Sequence, residues 1–134
     1  MITQELAEQE FNRFVEAMDL DLDPSDMDAE DLAGFLKTKK RLIKAVMAGS
    51  LVFNDDGEAV YTPVNPKSKY QDPITFHERT GTSIMAMDGK KKGHDVAKMY
   101  AVMADLTRLP AVTFSGLVGV DIKVCESILL LLMD

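Results

Sequence analysis

Apolar residues near the start of the chain recur at helical spacing, with glutamates between them. This pattern over residues 4–18 predicts an amphipathic helix with one apolar face. The apolar side chains near that face are Leu6, Phe11, Phe14, Val15 and Met18. Pro24 cannot lie inside a helix, so the helix ends before it, in an acidic connection.

A longer apolar stripe predicts a second helix from about Asp28 to Ala48. Acids stand at its start, where the helix dipole favours negative charge, and Gly49 follows as a C-cap. Basic side chains occupy much of the remaining circumference, namely Lys37, Lys39, Lys40, Arg41 and Lys44. The pattern favours a solvated basic face, or one that pairs with acids, over a phosphate site.

Two stretches in the middle of the chain have the composition of β-hairpins. Residues 50–53 and 58–62 flank a turn in which Gly57 can supply positive φ. Residues 74–78 and 83–87 form the second candidate pair, around Gly81.

Helical spacing returns in the last third of the chain. A third helix is predicted from residue 94 or 95 to Leu106, and a final helix from Asp121 to Met133 with Asp121 as its cap. Thr113 and Ser115 are candidate N-caps for a short turn of helix around Leu117, between these two helices. The expected fold class is therefore α+β: two hairpins form a small antiparallel sheet packed with C-terminal helices, and the N-terminal helices add a layer.

Charge divides the chain unevenly. The 134 residues carry a net charge of −7, but residues 1–31 alone sum to −10 and the remainder to +3. We expect residues 1–27 to form an acidic helix and linker beside an α+β domain at 28–134. One hypothesis makes residues 1–31 a clamping arm outside the core, and the plainer interpretation is that these acids face water.

Composition excludes several classes of protein. With 46% hydrophobic and 28% charged residues the chain is an ordinary globular sequence, not a disordered one. Its acidity disfavours a nucleic-acid partner. The longest strongly apolar run, residues 128–133, is too short to cross a bilayer, and the start does not resemble a signal peptide. We expect no membrane partner and a cytoplasmic location.

One acidic segment has partial metal-ligand spacing. Residues 19–30 carry acids at positions 1, 3, 5 and 12 of an EF-hand loop, but Pro24 replaces the glycine required at position 6. An acidic linker that caps the second helix is the favoured interpretation. We expect no metal and no cofactor.

Other candidate chemistry is weak. His77, His94 and Cys125 could form a Cys–His pair, but Cys125 lies in an apolar helical pattern typical of an inert core cysteine. The loop at residues 89–93 is rich in lysine and lacks phosphate-loop spacing. We therefore expect the protein not to be an enzyme.

The apolar C-terminus indicates an interaction surface. Its run of aliphatic side chains cannot all lie on one face of a helix, so part of it should contact another element or a sister subunit. Self-association through the final helix is therefore expected. The candidate partner or oligomer interface comprises Phe11, Phe14, Ile128, Leu130, Leu131 and Met133.

From about residue 45 to residue 133 the chain resembles tail assembly chaperones of long-tailed phages and prophages, especially the Mu-like group. The resembling features are Gly49-Ser-Leu-Val-Phe, Pro73-Ile-Thr-Phe, Ile84-Met-Ala-Met, the Thr107–Leu117 segment, and a helix from Asp121 that ends in Leu-Leu-Leu-Met.

The resemblance implies a non-enzymatic role in the host cytoplasm. Such chaperones bind the long helical tape-measure protein and keep it soluble while the tail tube forms; the tail tube protein is a second candidate partner. One alternative is a minor structural virion protein, such as a tail-completion or adaptor component. Another is a regulatory module that binds calcium or a nucleotide through the acidic or lysine loop.

Overall fold

The computed structural model describes residues 2–20, 22–81 and 95–133. Within these ranges the fold is α+β, as predicted, with helices packed against a small antiparallel sheet. The helices are α1 (Gln4–Ala17), α2 (Ala29–Ala48), α3 (Asp95–Thr107), α4 (Val112–Ser115) and α5 (Val120–Leu132). The strands are β1 (Leu51–Phe53), β2 (Ala59–Tyr61) and β3 (Ile74–Phe76), and a 3₁₀ turn spans Pro24–Asp26.

Local capping explains the bounds of the first two helices. Thr3 Oγ1 accepts a hydrogen bond from the Leu6 amide at 3.2 Å, and Asp28 Oδ1 accepts one from the Asp31 amide at 2.8 Å. Gly49 ends α2 with φ of 88°, a left-handed conformation that favours glycine. Both predicted helices and the Gly49 C-cap are confirmed.

The sheet has the strand order β1-β2-β3, with both pairs antiparallel. The first predicted hairpin is confirmed, and Gly57 in its turn has φ of 80°. Ile74–Phe76 pairs with β2 as the third strand. The other half of the second predicted hairpin, residues 83–87, lies outside the described residues, as do His94 and the lysine loop.

Helix α1 belongs to the hydrophobic core. Phe11, Phe14 and Met18 are buried in the same cluster as the inner side chains of α2, the sheet and α5. The Phe14 ring stacks on the Phe53 ring with centroids 5.0 Å apart. The hypothesis that residues 1–31 form an arm outside the core is therefore wrong for α1, because its apolar face is buried against α2 and β1. The domain boundary after residue 27 stays a prediction.

Arg13 fastens α1 to the first hairpin. Its guanidinium donates to the backbone carbonyls of Phe53 and Asn54, each at 2.7 Å, and to Glu10 Oε2 at 2.7 Å. Arg13, the one basic residue among residues 1–31, therefore forms intramolecular hydrogen bonds. Within the described residues, no ion pair joins the acids of residues 2–31 to the lysines of α2.

Three predicted caps near the C-terminus are wrong. The short helix α4 ends before Leu117, so the predicted turn around Leu117 is misplaced. Thr113 and Ser115 lie inside α4, and Ala111 stands at its N-cap position without a side-chain hydrogen bond. Gly119, with φ of 58°, precedes α5, so Asp121 is in the first turn of the helix and not at its cap. Its carboxylate faces the interior, where it accepts four hydrogen bonds and does not cap the helix.

Candidate partner-binding site

The N-terminal members of the predicted interface are core residues. Phe11 and Phe14 are buried, and the Nζ atom of Lys39 lies 5.6 Å from the centroid of the Phe11 ring. A cation over an aromatic face is attracted by the ring quadrupole, so this contact also joins α1 to α2. An interface role for either phenylalanine would require α1 to leave the core.

The four C-terminal members of the predicted interface differ in exposure. Ile128 and Leu131 are buried, Met133 is partly buried, and Leu130 is 61% exposed. Leu130 is therefore the member of the predicted set that this conformation presents to a partner. The helical period separates it from Ile128 and Leu131, which point into the core.

A second group of exposed apolar side chains lies between α1 and β1. Ile2, Leu6 and Val52 are each more than one-third exposed, although they are aliphatic. They border a groove of about 300 Å³. The groove is lined by Ile2, Leu6, Glu10, Val46, Gly49, Leu51, Val52 and Phe53, and we call it the α1–β1 groove.

The backbone fixes one end of the α1–β1 groove. The Ile2 amide donates to the Met47 carbonyl at 3.2 Å, which holds the residues before α1 against the end of α2. Strand β1 is an edge strand in the described sheet, and Val52 points outward between two buried neighbours. The alternation along β1 could have identified Val52 as exposed, but its proximity to Leu6 depends on tertiary packing.

The groove suits an apolar partner because seven of its eight lining residues are apolar or glycine. A cluster of aliphatic side chains left in water favours contact with another apolar surface. Helix-in-groove recognition uses such surfaces to hold apolar anchors spaced along one face of a partner helix.

Asp121 forms the most completely hydrogen-bonded polar cluster around a carboxylate in the described chain. Its Oδ1 accepts from the Tyr61 hydroxyl at 2.7 Å and the Val64 amide at 2.8 Å. Its Oδ2 accepts from the Asn65 amide at 3.0 Å and the Ser68 hydroxyl at 2.6 Å. The carboxylate thereby fastens the long loop between β2 and β3 to α5.

Electrostatics explain why this cluster is structural. Burial raises the pKa of Asp121, but the hydrogen bonds from Ser68, Tyr61 and the two amides outweigh it and lower the pKa below its usual value of 3.8. Burial and the neighbouring carboxylate raise the pKa of Tyr61 far above its usual range, so the phenol remains a donor. Asp121 has no exposed surface, which leaves no room for a substrate.

His77 and Cys125, two of the candidate catalytic residues, lie in different environments. His77 Nδ1 lies 2.7 Å from Glu58 Oε2, and Asn54 Nδ2 donates to Glu58 Oε1 at 3.0 Å. Burial raises the pKa of Glu58, but these hydrogen bonds and nearby positive charge lower it overall. Cys125 is buried, and burial raises the pKa of its thiol. An inaccessible neutral thiol is not a nucleophile.

The acidic connection between α1 and α2 uses its side chains as caps. Asp23 Oδ1 accepts from the Ser25 amide at 3.0 Å and the Ser25 hydroxyl at 2.8 Å, and Asp28 caps α2. Among the described residues, which omit Asp21, no three acids, histidines or cysteines are grouped closely enough to hold a metal ion.

Neither a membrane-spanning helix nor a similarity to known proteins indicates what this site binds. Of the helices in the described ranges, none combines the length and the apolar character needed to cross a bilayer. No family model matches the chain, and no significant match occurs among curated proteins or among solved structures.

Proposed function

We propose that this protein is a phage tail assembly chaperone that binds the tape-measure protein and keeps it soluble while the tail tube assembles. It acts in the host cytoplasm by binding, without catalysing a reaction, and the tail tube protein is a second candidate partner. The resemblance across residues 45–133 supports the proposal. The observation that carries it is the exposed aliphatic cluster of Ile2, Leu6 and Val52 at the α1–β1 groove.

The chemistry of the groove is compatible with a holding role. A chaperone for a long helical protein must cover apolar faces that would otherwise associate with each other. Leu6 on α1 and Val52 on β1 offer such a face, and the hydrogen bonds from Arg13 hold α1 against the end of β1. Contact between apolar surfaces is non-directional, so it tolerates different anchor residues along a repetitive partner.

The test is co-expression with a tape-measure protein from the same genome, with the soluble fraction of that protein as the readout. Val52→Lys places a charge in the groove and should reduce the soluble tape-measure fraction at least threefold. The matched control is Val112→Lys, because Val112 is 73% exposed on α4 and does not line the groove. Circular dichroism checks that both variants fold.

Two results would contradict separate parts of the proposal. Equal activity of Val52→Lys and the parent would exclude the groove as the binding surface. A parent chain that never raises the soluble tape-measure fraction would reject the chaperone function. Stoichiometric presence in purified virions would instead favour the minor structural protein.

A further inference from the structure

Helices α2 and α5 pack against each other in opposite directions and leave a seam between them. Residues near the start of α2 share a groove with Leu130 and Leu131 at the end of α5. Residues near the end of α2 share another groove with Val120 and Val124 at the start of α5. Arg41 crosses the seam between the two grooves, where its Nη1 donates to Ser127 Oγ at 3.1 Å.

The two ends of this α2–α5 seam carry opposite charge. The groove at the start of α2, about 500 Å³, is bordered by four carboxylates, Asp23, Asp26, Glu30 and Asp31. The groove at its end, about 550 Å³, is bordered by four cations, Lys37, Lys40, Arg41 and Lys44. None of these eight side chains forms an ion pair with another described residue.

Each end of the seam also has an apolar component. Phe35, Leu130 and Leu131 lie in the acidic groove, and Val64, Val120 and Val124 lie in the basic groove. Leu130, Val64 and Val120 are 61%, 56% and 46% exposed. Aliphatic side chains between unpaired charges are typical of a surface that is covered by a partner, with apolar contacts at its centre and charges at its rim.

We propose that the partner is a second copy of this chain, which packs against the α2–α5 seam about a twofold axis. A twofold interface places each residue against a residue of the same surface on the other subunit. Here an antiparallel arrangement brings the acidic end of one copy against the basic end of the other, twice. A parallel arrangement would place acid against acid and base against base.

The geometry locates the axis. On α2 the acids Glu30 and Asp31 are centred about ten residues before the four cations, which corresponds to roughly 15 Å along the helix axis. A twofold axis midway between the two charged groups passes close to Phe35. The seam shares no lining residue with the α1–β1 groove, so each copy could still hold a tape-measure segment there.

Sedimentation of the full chain and of charge-reversed variants tests this arrangement. Reversal of the basic end, Lys40→Glu with Lys44→Glu, should weaken self-association at least tenfold, and so should reversal of the acidic end, Asp26→Lys with Glu30→Lys. Because both contacts are complementary again in a mixed dimer, an equimolar mixture of the two variants should recover association. The matched control is Lys67→Glu with Lys69→Glu, which makes the same charge change on exposed lysines outside the seam.

Salt provides an independent readout, since exposed charges are screened over about 8–10 Å near physiological ionic strength. Parent association should weaken as salt rises from about 0.05 M to about 0.5 M. A monomeric parent would overturn the proposal. So would an oligomer that is indifferent to both reversals, or a mixture of folded variants that fails to associate.

Discussion

Replacement of Asp121 by asparagine should destabilise the fold by about 3 kcal/mol. Asparagine has nearly the same size, but it lacks the charge and exchanges one acceptor oxygen for an NH₂ group. In either orientation the NH₂ group faces one hydroxyl and one backbone amide, because each carboxylate oxygen accepts from one of each. The hydroxyl can rotate and accept, whereas the amide cannot.

The magnitude follows from these partners. A buried amide left without an acceptor costs about 1–3 kcal/mol, and loss of the charge weakens the hydrogen bonds that remain. A total of about 3 kcal/mol is a large share of the 5–15 kcal/mol that typically separates folded from unfolded protein. It corresponds to a decrease in Tm of roughly 10 °C for a domain of this size.

The pH dependence of the free energy of unfolding provides a second test of the Asp121 carboxylate. The pKa of Asp121 is lower in the folded protein than its usual value of 3.8, so its charge stabilises the fold fully above about pH 4. That stabilisation is lost as the pH falls further, through the folded-state pKa. The free energies of unfolding of parent and variant should therefore converge in acid and differ most at neutral pH.

Urea denaturation of parent and variant at a series of pH values measures both effects. Asp72→Asn is the matched control, because Asp72 is an exposed acid in the same loop and should cost less than about 0.5 kcal/mol. A loss below 1 kcal/mol at pH 7, or a difference that persists unchanged down to pH 2, would refute the reasoning.

The remaining predictions concern the contact between α1 and the first hairpin. Gly57→Ala should destabilise the protein by at least about 2 kcal/mol in thermal melts, because φ is positive there and an added Cβ would collide with the Cβ of Ala17. Gly34 lies on α2 with no atom within 4 Å of an added Cβ, so Gly34→Ala should instead stabilise the protein by up to about 1 kcal/mol. Equal effects of the two substitutions would contradict the close contact between Gly57 and Ala17. Deletion of residues 1–27 should abolish cooperative unfolding measured by circular dichroism, since it removes buried Phe11 and Phe14. A fragment 28–134 that unfolds cooperatively would support a domain boundary after residue 27.

The sequence alone determined the elements whose signals are local. The apolar period and the capping residues define α1 and α2, because a helix repeats every 3.6 residues and caps act within one turn. Alternation and Gly57 define the β1–β2 hairpin for the same reason, since both its strands lie within eleven residues. The α+β class follows from the order of these segments.

Tertiary structure decided the features that join distant segments. Asp121 has the sequence context of a cap, but donors more than fifty residues away in the chain turn it inward. Because residues 1–31 are strongly acidic, the sequence suggested an arm detached from the core. Burial of Phe11 and Phe14 instead holds α1 in the core. The α1–β1 groove combines Leu6 with Val52. The acidic and basic ends of the α2–α5 seam combine residues of α2 and α5 that are about 70 to 100 positions apart. Only packing brings such residues together, because their sequence separation leaves no periodic signal.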